Sequence, residues 1–431
     1  MIRRTALLVL AFSTFGLGAA RAQTAQLMGQ VVNEAGQPVP EAEVLLTAAT
    51  GSVASTVHGD VEGRFQFAGV EPIVASVPPH PGEDPTAVPL ADKKRLLDEY
   101  NEIIWGIEGL ATSSLRYGDL HRTITFASSE GAYIEQMRTD VTLGLSVMAR
   151  KDGDVQQAAF SKGGLNDFTF VRGRHDEVRE TAQRAVAFLD APKVDGGEYT
   201  VVLDPVLAGV FVHEAFGHLS ESDHIYEDDR LKEIMTLGRK FGGKHINITD
   251  GAAVPGLRGS YAYDDEGTPA QRTPLIRDGV LVGRLHSRET AAKMGEQPTG
   301  NARAINYNFP PIVRMTNTFI ERGETSFQDM IADVPNGLYV KNWYGGTTSM
   351  EMFTFSAGEA YRIRNGKVEE LVRPVQLTGN LFTTMENLDA IGDDLDMNQG
   401  GGCGKGGQMP LPVSTGSPHI RIQKCLIGSG A

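Results

Sequence analysis

The stretch Tyr199-Thr200-Val201-Val202-Leu203-Asp204-Pro205-Val206-Leu207-Ala208-Gly209-Val210-Phe211-Val212-His213-Glu214-Ala215-Phe216-Gly217-His218 holds a strand, a helix start and a group of metal-seeking side chains. Tyr199 to Leu203 reads as a buried strand, and Asp204-Pro205 supplies an N-cap carboxylate followed by proline at the first helical position. Val206, Leu207, Val210 and Phe211 then recur at helical spacing. His213 and Glu214 therefore arrive about two turns into a helix fixed to a sheet, a rigid mount for ligands. Two neutral imidazoles suit Zn²⁺, and a carboxylate beside the first is placed to take a proton from water. The two histidines are five residues apart rather than the four of H-E-x-x-H, so a regular α-helix would splay them by about 140°. A π-type bulge, or a helix ending at Gly217, is needed to bring His218 back toward His213. The competing reading is a chance His-Glu pair with a second histidine nearby.

Outward from this stretch, Met1 to Ala22 carries Arg3 and Arg4, an apolar run from Ala6 to Leu17, and Ala20-Arg21-Ala22 before Gln23. That is the layout of a secretory signal peptide, which places the mature protein in the periplasm or outside the cell. No later segment approaches about 18 uninterrupted apolar residues, so no stable membrane insertion is expected. The formal net charge of -14, with no Lys/Arg-rich patch, argues against nucleic acid as a partner. Only Cys403 and Cys425 occur, too few for a disulfide scaffold. A length of 431 residues, 41% of them hydrophobic and 22% charged, fits two or three globular domains with full cores.

Residues 23–77 read as a small all-β sandwich, with alternating strands around Gly29 to Val32, Ala42 to Leu46 and Arg64 to Phe67 and Gly/Pro punctuation between them. Their G-x-V-x-N-x-x-G-x-P-V-P-x-A-x-V and D-x-x-G-R-F-x-F patterns resemble the carboxypeptidase regulatory-like domain, a transthyretin-like sandwich, although its closing strand is hardly recognisable in Glu71 to Val77. Residues 78–92 form a proline-rich linker. Within 93–198 the pattern predicts a helix from Lys93 to Ala111 and four strands, Arg122 to Ala127, Ala132 to Gln136, Val141 to Arg150 and Val155 to Phe160. A helix from Glu177 to Leu189 follows. Sheet and helices are grouped, so the class is α+β. After the two histidines come His224, Tyr226, Glu227, Asp228 and Asp229, each read as a solvated face or a neighbour of the site, whereas His175, His245, His286 and His419 are read as satisfied or surface residues.

Beyond Ile246 the chain is a succession of short strands and glycine turns, and the motifs from His213 onward resemble the TldD/PmbA family of metallopeptidases, in particular the metal-binding TldD-type member. They are H-E-A-F-G-H at His213, G-S-Y-A-Y-D-D-E-G-T-P at Gly259, L-I-R-D-G-V-L at Leu275, T-G-N-A-R at Thr299 and R-M-T-N-T at Arg314. F-S-A-G-E-A-Y-R-I-R-N-G-K at Phe355 and G-G-C-G-K-G-G-Q at Gly401 complete the set, which runs in family order from about Lys93 to the C-terminus. The resemblance implies a truncated α/β N-terminal part over 93–198 and a large β-rich metal-binding and C-terminal domain over 199–431.

The resemblance further implies a zinc site of His213, His218 and Cys403, with Glu214 as the catalytic carboxylate. Three protein ligands leave the fourth tetrahedral position that a catalytic zinc needs. Gly401, Gly402 and Gly404 would let backbone approach the ion, and the alternative for Cys403 is a disulfide with Cys425. The expected function is hydrolysis of unfolded or extended peptides by a secreted zinc metallopeptidase, with Glu214 taking a proton from the attacking water. An exposed sheet edge at Trp343 to Ser349 is the candidate for holding such a peptide. The expected partners are a peptide or unfolded-protein substrate and either a second copy or a paralogous metal-free subunit; the alternative function is a non-catalytic partner or binding subunit of a TldD/PmbA-type complex, or a scaffold presenting the sandwich domain. Shortening of the N-terminal part, relative to the family, favours that alternative.

Overall fold

A computed structural model describes residues 6–10, 25–33, 36–40, 42–47, 53–58, 60–70, 73–128, 130–349 and 351–429. Near the N-terminus, Ala25–Asn33 pairs antiparallel with both Ala6–Leu10 and Arg64–Val70, and Glu43–Thr47 pairs with Val53–His58. Ala6–Leu10 falls inside the segment read as a signal peptide, and the rest of that segment lies outside the described residues. Val74–Val77 joins neither of these small sheets. It runs parallel to the start of Tyr133–Lys151 in the next domain, which accounts for the poor match of Glu71 to Val77 to a closing sandwich strand.

That next domain is an antiparallel meander of Leu110–Ala127, Tyr133–Lys151 and Asp154–Leu165, covered on one face by helices α1 (Leu90–Trp105) and α2 (His175–Asp190). Val141, Leu143, Leu145, Val147 and Ala149 alternate onto the helix side and are buried there with Tyr100, Ile104, Val178, Ala185 and Phe188. Three corrections to the expected elements follow. The helix stops at Trp105, capped by Gly106, and the chain turns at Gly109, whose φ of 92° a β-carbon would disfavour. The two middle strands are one, running unbroken through the polar Met137-Arg138-Thr139-Asp140; Arg138, Thr139 and Asp140 are buried, and Arg138 donates to the Ser260 and Arg258 carbonyls of the C-terminal domain. The sheet of this segment is an antiparallel meander with grouped helices, so the α/β character expected for the N-terminal part is absent from the described residues.

The C-terminal domain closes five strands into a ring. Gly197–Leu203 pairs parallel with Asn336–Ser349, which continues antiparallel through Met352–Arg364, Val375–Asn380 and Ile420–Ser429, and the last returns to Gly197–Leu203. A separate six-stranded sheet includes Ile248–Gly251, Asn317–Ile320 and Ser414–Ser417. Helix α3 (Pro205–Val212) packs against both. Asp204 caps it through Leu207 N–H at 2.8 Å and also accepts from Asn342 N–H at 3.1 Å, tying the helix start to the ring. Leu207 to Val212 are all buried, so the helix is apolar all round rather than on one side. The Phe211 ring meets Phe353 edge-on at 5.4 Å, a contact of the kind worth about 0.5–1.5 kcal/mol beyond area burial. No helix among the described residues is long and apolar enough to cross a membrane.

Candidate metal centre

At Val212 the α-helix gives way to a π-helical turn, His213–Gly217, and then to a 3₁₀ turn, His218–Ser220. His218 N–H donates to the carbonyl of His213, five residues back, so one extra residue is accommodated in the turn. The five-residue spacing thus puts both imidazoles on one side, with ring centroids 5.3 Å apart and planes at 79°. Gly217 makes room for this turn: a Cβ there would lie 2.1 Å from Sδ of Met315, which is fully buried. Gly217→Ala is therefore expected to lower stability by about 1–3 kcal/mol through overpacking and to weaken metal binding by displacing His218. Chemical denaturation and a zinc titration check the two effects.

The third expected ligand comes from the hairpin of Gly402–Lys405 and Gln408–Pro412. Cys403 is buried, with Sγ 3.4 Å from His218 Nε2, and Arg314 donates to its carbonyl oxygen at 2.9 Å. One ligand atom from each of His213, His218 and Cys403 lies within 4.8 Å of the others. The nearby glycines serve the hairpin: a Cβ on Gly402 would meet Pro410 at 2.7 Å and one on Gly404 would meet Met409 at 3.0 Å, while Gly401 has open space. Both cysteines are free thiols, and Cys425 is buried in the ring with its pKa pushed up to about 12 by that burial. No bridge competes for Cys403.

These side chains fit a zinc ion on two grounds. From zinc–ligand lengths, a tetrahedral N-to-S edge spans about 3.5 Å, close to the 3.4 Å between His218 Nε2 and Cys403 Sγ. In addition, His213 Nδ1 is buried with no hydrogen-bond partner, which an imidazole in a purely structural role would avoid. Burial raises the Cys403 pKa, but the flanking His213 and His218 rings outweigh it and draw the thiol down to about 5, favouring the thiolate that binds metal.

Behind His218 stands a residue that pattern reading passed over. Burial disfavours charge on both His218 and Glu221, yet their mutual attraction, with help from Cys403 on one side and Lys405 on the other, holds His218 up at about 11 and Glu221 down at about 2. Glu221 lies three residues past the second histidine, a helical spacing that was the available signal.

Glu214, His218, Leu219, His224, Leu231, Thr348, Gly404 and Lys405 line a cleft of about 350 Å³. Glu214 is one-third exposed there, with a carboxylate oxygen 3.9 Å from His218 Nε2. Thr348 Oγ1 is buried without a partner. A larger cavity of about 420 Å³ lies beneath Val77 to Pro81 and is lined by none of the three expected ligands. His224 reaches the cleft, whereas Asp228 caps the helix Asp229–Ile234 and Asp229 pairs with Lys232. His286 is buried between Ser222, Thr290 and Glu296, His245 faces the Leu388 carbonyl, and His419 links Asp394 to Tyr339.

Comparison with known proteins places the chain in a family. Residues 196–429 match the PmbA/TldA metallopeptidase C-terminal domain and residues 83–189 its central domain. The chain belongs to this metallopeptidase family. A metalloprotease of Synechocystis is 48% identical to it over 380 residues, covering 88% of this chain and 82% of the relative. A protein of Saccharolobus solfataricus described as a zinc metalloprotease TldD homolog is 31% identical, covering 73% and 71%. A Thermotoga maritima crystal structure, described as a candidate modulator of a DNA gyrase, has a TM-score of 0.66 at 17% identity over 81% of this chain and 76% of its own, a likeness of fold.

Proposed function

We propose that this family member is a zinc-dependent peptidase that hydrolyses unfolded or extended peptides. The observation that carries the reading is the convergence of His213, His218 and Cys403 beside a cleft into which Glu214, not needed as a ligand, presents its carboxylate. Zinc held by the three side chains supplies Lewis acidity for attack on a peptide carbonyl. Glu214 acts as general base, holding the proton released by the attacking water and returning it to the leaving amine. Substrate is held by the ring. Within Asn336–Ser349 only Gly337 to Val340 pair with Gly197–Leu203, so the continuation from Lys341 to Ser349 is bonded to Met352–Arg364 on one side and, among the described residues, has no strand on the other. An extended peptide added there runs toward Thr348 in the cleft, and its backbone groups satisfy the open edge. Folded proteins are poor substrates because they offer no free strand.

We place the protein outside the cytoplasm on the signal-like Met1 to Ala22, and read residues 23–77 as a carboxypeptidase regulatory-like appendage without chemistry of its own. The relatives described as metalloproteases, one of them as a zinc enzyme, support the reading. The purified chain should cleave an unstructured peptide library, lose that activity to a chelator and regain it with added zinc. A metal-loaded chain inert toward the whole library would instead favour the non-catalytic partner role.

A further inference from the structure

Glu221 is fully buried, and its carboxylate ties together three separate segments. Oε2 accepts from His218 Nδ1 at 2.9 Å and faces Lys405 Nζ at 3.1 Å, while Oε1 accepts from Met315 N–H at 3.3 Å. Lys405, whose side chain is 8% exposed, also reaches Asp223 at 2.6 Å and the Val313 carbonyl at 2.8 Å. Lys405 stands two residues beyond Cys403 on the same hairpin, and Glu221 three beyond His218.

We propose that Glu221 and Lys405 are positioning residues forming a clamp that sets the His218 ring and the Cys403 hairpin at binding distance before metal arrives. The inference rests on reading His213, His218 and Cys403 as a metal centre. The π turn brings His218 to the same side as His213, but it leaves the ring free to rotate about its side-chain bonds. A carboxylate at Nδ1 stops that rotation with Nε2 directed at Cys403. A lone buried carboxylate would be strongly destabilising, and Lys405 offsets its charge. Because that lysine belongs to the hairpin, the same ion pair anchors Cys403, which is 185 residues from His218 along the chain. An ion pair serving stability alone needs no member on a ligand-bearing segment, whereas here both ends lie on one.

The test is zinc affinity of the full-length protein, measured by chelator competition well below the melting temperature, for wild type, Glu221→Gln, Lys405→Met and the double variant. Each single change should weaken zinc binding about 10- to 100-fold, and the double variant should lose little more than the weaker-binding single, since both break one clamp. Co²⁺-loaded variants should show altered ligand-field bands, which a change in global stability alone does not produce. Asp223→Asn, which removes only the outer partner of Lys405, should bind zinc like wild type. If Glu221→Gln does not fold, Lys405→Met, which keeps an apolar stem of similar length, carries the test. Folded Lys405→Met with wild-type zinc affinity and wild-type Co²⁺ bands overturns the clamp and leaves the metal centre standing; a wild-type chain that takes up no zinc overturns both.

Discussion

Glu214→Gln is expected to reduce hydrolysis of an unstructured peptide by at least about 100-fold, since general-base catalysis typically contributes 10²- to 10⁴-fold. Zinc content should stay near that of wild type, because Glu214 is not among the three side chains that gather around a common point. The amide keeps the size of the carboxylate and much of its hydrogen bonding, so the cleft lined by Leu219, His224 and Thr348 should keep its shape. Only the capacity to take a proton is lost. Steady-state rates with metal analysis on the same samples separate the two effects. Equal activity in wild type and variant would move the base elsewhere, and His224 is the next residue to replace because it lines the same cleft.

Asp140→Asn should destabilise the protein by about 3–5 kcal/mol, the range for breaking one side of a buried ion pair. Its carboxylate is 5% exposed and lies 2.8 Å from Nη2 of both Arg138 and Arg122, with Arg258 Nε at 3.7 Å. Neutralising it leaves buried guanidinium groups without a counter-charge. The damage is not confined to one domain: Arg138 also donates to the Ser260 and Arg258 carbonyls and Arg122 to that of Ile305, so this cluster joins the meander to the C-terminal domain. Burial pushes the Asp140 carboxyl up, but Arg138, Arg122 and Arg258 prevail and hold its pKa at about 2, against an ordinary value of 3.8. A depressed folded-state pKa contributes stability above the unfolded value, here about 2 kcal/mol, which disappears as pH falls from about 4 through 2. Urea midpoints for wild type and variant should therefore differ widely at pH 7, with the gap in stability narrowing by about 2 kcal/mol as pH falls toward 2. Midpoints that coincide at pH 7 would contradict the account.

Sequence and structure agree where the deciding chemistry is local. The Asp204 cap, Pro205 and the apolar residues that follow act within a few positions, and the five-residue separation of His213 and His218 dictates a departure from α geometry, found as the His213–Gly217 π turn. Cys403 is different in kind: it reaches His218 from 185 residues away, so only the family motif pointed to it. Glu221 and Lys405 carry opposite charges that ordinary reading assigns to solvent, and nothing local announces that they are buried together. Ring closure is equally long-range, since Gly197–Leu203 bonds to strands beginning at Asn336 and Ile420. The run Met137 to Asp140 falls outside the strands the pattern predicts for a related reason: its charges face a neighbouring domain rather than water.

Zinc stoichiometry, measured on purified wild type and on His213→Ala, His218→Ala and Cys403→Ser, addresses the central claim most directly. The account predicts a single zinc per wild-type chain and its loss from each variant, because two remaining protein ligands hold the ion far more weakly than three. Full zinc in Cys403→Ser, or none in the wild type, would contradict it.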